Sequence, residues 1–136
     1  MCVRGLTTFI ICLAGKVQRE IRNRTVTDKI VVLSTCSSRE EADRIAYQLV
    51  DQRLAACVSV IAGLGSIYRW QGAVERAEEV LLVIKSSRAL FDSLRARIEQ
   101  LNSYSTPEII ALPIVDGAEG YLDWMTAELR PAGTPE

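Results

Sequence analysis

From Lys29 to Thr35 the chain reads KIVVLST, β-branched and apolar on both alternating faces, the pattern of a buried central strand. Ser38 stands three residues before Glu41, a capping-box spacing, and Ala42, Ile45, Ala46, Leu49 and Val50 recur at helical intervals, predicting a helix that ends near Gln52. Ala55 to Trp70 reads as one long strand interrupted by Gly63 and Gly65, where a bend or bulge is expected. Gln71-Gly72 then offers a tight reversal into a strand from Glu78 to Lys85, making a long hairpin. Ser87 precedes Leu90, Leu94, Ile98 and Leu101, an apolar stripe that predicts a second amphipathic helix. The run IIALPIV, Ile109 to Val115, reads as a fourth strand with an edge or bulge at Pro113, which has no amide to donate. Tyr121, Leu122, Met125 and Leu129 predict a short third helix, and the tail 131–136 is expected to fray.

Strand, helix, strand, strand, helix, strand, helix is the split βαβ order plus a terminal helix. The expected fold is therefore α+β: a ferredoxin-like split βαβ sandwich, an antiparallel sheet with helices on one face, an extended β-hairpin and an additional C-terminal helix. That architecture hosts many unrelated activities, so the residues must decide function.

A chain of 136 residues makes one domain, and a 49% hydrophobic content supplies its core without disulfides. Charge divides it unevenly. Residues 1–27 carry five Lys/Arg against one acid, leaving eleven against sixteen in residues 28–136. Residues 1–27 are thus expected to be an extension outside the core, and residues 28–130 to form the domain. The apolar run Leu6 to Ala14 is too short to span a bilayer, and a basic flank follows it. A cytoplasmic location is expected, with an exported or organellar one as the alternative if residues 1–27 are a targeting segment.

Cys2, Cys12, Cys36 and Cys57 form no C-x-x-C pair and no disulfide framework, which suits reduced thiols. There is no histidine, so Ser-His and Cys-His nucleophile pairs and imidazole zinc sites are excluded. A net charge of −1 provides no basic footprint for nucleic acid. The third strand, EEVLLVIK, also lacks the aromatics with which a similar sheet stacks RNA bases. No membrane partner is expected. The loop Thr35 to Arg39 is the only place for the phosphate cradle of a hydrolase on this fold, and its serines read better as a helix cap.

Five segments in order resemble the CutA family: LVDQRLAACVSVI (Leu49–Ile61), SIYRWQG (Ser66–Gly72), EEVLLVIKS (Glu78–Ser86), YSTPEIIALPI (Tyr104–Ile114) and YLDWM (Tyr121–Met125). The resemblance implies a homotrimer related in architecture to PII signalling proteins, linked to tolerance of copper and other divalent cations, with no known reaction. The expected function is accordingly that of a non-catalytic, trimeric metal- or small-ligand-binding protein. The alternative is a PII-like regulatory module sensing a metabolite in clefts between subunits.

Cys57 reads first as a small packed hydrophobe and second as a soft metal ligand, for copper or another divalent cation, completed by trimer symmetry. Glu79 and Glu108 fall at positions that match the family motifs, where pocket and salt-bridge readings are equal, since Lys85 could pair with either. Glu78 reads as a solvated charge. Many family members carry a histidine two residues before the tyrosine of the YxxPE segment; this chain has Asn102, a far weaker ligand for transition metals. Among the family aromatics Tyr68, Trp70, Tyr104 and Trp124, Trp70 suits an interface and Tyr104 a cleft. The length of the hairpin and its apolar side chains predict association with another subunit through it, and the resemblance implies that the assembly is a homotrimer.

Overall fold

The computed structural model describes residues 27–135. The chain runs β1 (Lys29–Cys36), α1 (Arg39–Asp51), β2 (Cys57–Trp70), β3 (Ala73–Ser87), one 3-10 turn (Arg88–Leu90), α2 (Phe91–Leu101), β4 (Ile110–Pro113) and α3 (Glu119–Glu128). This is the expected α+β, ferredoxin-like order. The predicted extension, residues 1–27, lies outside the described residues except for Thr27. Its hydroxyl donates to Ile114 O at 2.6 Å and accepts from Lys29 N.

Local chemistry accounts for the elements. Ser38 caps α1 by accepting from Glu41 N at 3.2 Å. Glu41 does not close the box in the usual way; its carboxylate takes the Ser37 hydroxyl and the Ser103 amide instead. Gln71 and Gly72 both lie at positive φ, 48° and 83°, the pair of left-handed residues that a two-residue hairpin with native twist demands.

The strands form one antiparallel sheet ordered β2-β3-β1-β4. One face carries the core. Ile30, Val32, Leu82 and Ile84 pack there with Ile45 and Leu49 of α1 and Leu94 and Ile98 of α2. Each such side chain, withdrawn from water, contributes roughly 1.5–3 kcal/mol. A second cluster of Ala56, Leu90, Met125 and Leu129 seats α3. The expected fourth strand contracts to Ile110–Pro113 at the sheet edge, with Pro113 as its last paired residue opposite Ile30.

β3 begins at Ala73, earlier than the expected Glu78, and pairs with β2 as far as Trp70. The far half of β2 therefore has a partner, and among the described residues the unpaired edges of the ribbon are the outer side of β2 and the side of β3 that lies away from β2 between Ala73 and Glu79. Between Ile61 and Leu64 the register slips: three steps along β2 match two along β3, from Leu81 to Glu79. Gly63, at φ 77°, takes the left-handed position of this bulge. The extra residue inverts the phase of β2. Cys57, Ser59 and Ile61 point to the helix-free face, and beyond the bulge it is Leu64, Ser66, Tyr68 and Trp70 that do so.

That second face is where the sequence and a single chain part company. Val31 and Leu33 of β1 were expected to be buried on both sides of the strand, yet one copy leaves them half-exposed.

Candidate functional site

On the helix-free face, where the ribbon joins the sheet, lies a concave site of about 850 Å³. Alternation along the strands determines what reaches it. β2 sends in Leu64, Tyr68 and Trp70; β3 sends Glu75, Glu79 and Leu81; β1 adds Leu33 and Thr35. The loop between α2 and β4 supplies Tyr104, Pro107 and Glu108. None of the described residues lining the site is a lysine or arginine.

Two polar residues hold that loop against the end of β1. Asn102, buried, donates from Nδ2 to Thr35 O at 2.9 Å and accepts Tyr104 N at its Oδ1, also at 2.9 Å. Glu41 accepts Ser103 N at 3.1 Å and the Ser37 hydroxyl at 3.0 Å. Burial acts to raise the pKa of Glu41, but these hydrogen bonds and the Arg44 guanidinium outweigh it and hold the carboxyl below its ordinary value.

Tyr104 is half-buried, and its phenol faces Glu79. Burial first, then that carboxylate, pushes the phenol pKa up to about 12, so it stays a neutral hydroxyl. Cys36, the last residue of β1, is also pushed up to about 12 by burial and by the Glu41 and Glu79 carboxylates, which leaves it an inert thiol.

Of the residues singled out in the sequence, Trp70, Glu79, Tyr104 and Glu108 meet in this cavity. Lys85 does not. It lies six residues, roughly 20 Å, from Glu79 along β3, and its ammonium donates to Ser59 Oγ at 2.6 Å and to Val83 O at 3.4 Å, so within one subunit it is no salt-bridge partner of Glu79 or Glu108. Cys57 sits directly opposite Lys85 in the strand register and beside Tyr121, whose pKa is raised by burial and by the neighbouring thiol. No group of three or more His, Cys, Asp or Glu side chains among the described residues converges as a metal site. A thiol whose cross-strand neighbour is a lysine, and which belongs to no such group, does not fit a divalent cation within one subunit. Asn102 is likewise committed to backbone partners.

Glu75 and Glu41 escaped the sequence reading. Glu75 shares the parity of Glu79, and would have been found had β3 been started at Ala73. Glu41 looked complete as a capping residue; only tertiary structure brings Ser103 to it.

The profile of the family described as CutA1 divalent ion tolerance protein matches residues 30–128. The divalent-cation tolerance protein CutA of Thermus thermophilus is 50% identical over 95 residues, which cover 70% of this chain and 92% of that one. A protein of Arabidopsis thaliana named CutA, chloroplastic, is 36% identical over 117 residues, 86% of this chain and 64% of that one. A solved structure of the divalent cation tolerance protein from Thermus thermophilus superposes with a TM-score of 0.74 at 47% identity, covering 75% of this chain and 99% of that one.

Proposed function

The chain belongs to the CutA1 divalent ion tolerance protein family, and from that premise we propose that it works by binding: a homotrimer that holds a cation or small ligand in clefts between its subunits without turning it over. The observation that carries this reading is the helix-free face. It combines a half-exposed apolar surface on β1 and β3, a ribbon exposing Ile61, Tyr68 and Trp70, an unpaired edge on β2 and the carboxylate-lined cavity. A face of this kind in water favours association with another copy, which covers the apolar residues and the edge together. Cyclic closure stops the contact from propagating, and the family resemblance supports three copies in the ring.

Assembly also bears on the metal. A soft site for copper at Cys57 requires donors from neighbouring subunits, because one subunit supplies only the thiol. A PII-like role, sensing a metabolite, draws support from the cavity volume, which lies in the range of small-molecule sites. No helix among the described residues is long and apolar enough to cross a membrane; we place the protein in the cytoplasm, with a targeting role for residues 1–27 as the alternative.

Native mass spectrometry of the full chain purified without added metal tests the proposal. Three subunits carrying a retained ion or small molecule are expected. A stable monomer at micromolar concentration would sink the assembly argument, and a bare trimer that takes up neither metal nor small molecules would sink the binding role.

A further inference from the structure

We propose that the cavity on the helix-free face takes an organic cation, a protonated or quaternary amine with an apolar body, in preference to a bare metal ion. This rests on reading that cavity as the ligand site. Three independent features of its wall agree on the chemistry.

The first is sign. Glu75, Glu79 and Glu108 contribute three carboxylates, and no lysine or arginine is among the lining residues to neutralise them. Within one subunit, an anion entering this space would meet repulsion from carboxylates with no cationic side chain in the lining beside them. The second is surface. Tyr68, Trp70 and Tyr104 line the same wall as those carboxylates, and Glu79 and Tyr68 both lie close enough to Tyr104 to raise its phenol pKa. Aromatic faces attract a diffuse cation through their quadrupoles, and they hold alkylated ammonium better than they hold a strongly hydrated small ion.

The third is fit. The space of about 850 Å³ is far larger than a divalent ion needs, and its carboxylates do not converge as a donor set. Calcium and magnesium take six or more oxygens at roughly 2.0–2.6 Å, which dispersed carboxylates along a ribbon cannot supply. An organic cation needs no such convergence. Its charge is spread over carbon, so carboxylates at several positions act on it together, while Leu33, Leu64 and Leu81 accept its apolar part.

The test uses the full chain and three probes of similar shape: phenyltrimethylammonium, its uncharged carbon isostere tert-butylbenzene, and benzenesulfonate. Binding is read by titration calorimetry and by the Trp70 indole resonance, with Trp124, on α3 and absent from the lining, as internal control. Phenyltrimethylammonium should bind with the Trp70 signal moving, tert-butylbenzene about tenfold more weakly, and benzenesulfonate not at all. Glu79→Gln and Tyr104→Leu should each lower the affinity for the cation about tenfold. Glu78→Gln, which removes the same charge from the other face of β3, should leave it unchanged. Equal binding of the cation and tert-butylbenzene at Trp70 overturns the choice of ligand while keeping the cavity as a binding site. The same holds if a divalent ion binds in a Glu79-dependent way and the organic cation does not. If none of these probes moves Trp70, the ligand-site reading and this inference fall together.

Discussion

Replacing Asn102 by alanine removes one side chain and orphans two backbone groups. In the native protein its amide spans Thr35 O and Tyr104 N, both at 2.9 Å, and the residue is only 9% exposed. A buried carbonyl or amide left without its partner costs about 1–3 kcal/mol, and two such groups are orphaned. Partial access of water to the loop side trims this sum, so a loss of about 3 kcal/mol is expected. For a domain of this size that corresponds to a fall in Tm of roughly 10–20 °C. The assay is urea and thermal denaturation at one fixed protein concentration, since an assembling protein gains apparent stability by mass action. Asn102→Asp gives a second, sharper reading. It keeps an acceptor for Tyr104 N but sets a carboxylate oxygen against Thr35 O, beside the Glu41 site. At neutral pH it should be no better than alanine, and because burial raises the folded pKa of the introduced carboxyl, its penalty should shrink as the pH falls. A loss below about 0.5 kcal/mol for Asn102→Ala, the range of an ordinary surface change, would refute the idea that this residue pins the cavity loop.

Three further outcomes follow from single groups. The Ser34 hydroxyl is fully buried and has no hydrogen-bond partner among the described residues, so Ser34→Ala should stabilise the fold by about 1 kcal/mol in the same denaturation assay. Glu41 has a folded pKa held below the ordinary 4.5, so its contribution is complete above that value and is lost as the pH falls through the folded pKa; stability measured from about pH 6 down to about pH 3 should drop less steeply in Glu41→Gln than in the unaltered protein. The Cys36 thiol, buried and pushed up to about 12, should resist iodoacetamide at about pH 8 in the native protein and react only after unfolding, as read by peptide mass mapping.

Helix and strand identities could be read before any coordinates because they rest on short-range facts. Ser38 caps α1, the stripe Leu90, Leu94, Ile98 marks the buried side of α2, and Gln71-Gly72 turns the hairpin, each through bonds and faces set within a few residues. The same holds for the bulge, since Gly63 occupies a backbone conformation that other residues rarely adopt. Family motifs likewise singled out Trp70, Glu79, Tyr104 and Glu108, all of which line the cavity.

What the sequence determined by itself was therefore the set of elements, their order and, of the cavity lining, Trp70, Glu79, Tyr104 and Glu108. Tertiary structure alone decided how these meet. The bulge shifts β2 by one residue, and that slip puts Tyr68 and Trp70 on the side of Glu75 and Glu79; no local pattern specifies it, because the phase depends on pairing with a second strand. Lys85 matched the motif as well as Glu79 did, yet it ends far along the same strand with Ser59 as its partner, since strand rise separates residues that are near in sequence. Glu41 reaches Ser103 across the end of the sheet for the converse reason: folding brings together groups that are distant in the chain, and the free energy of a buried hydrogen bond is settled only once both partners are in place.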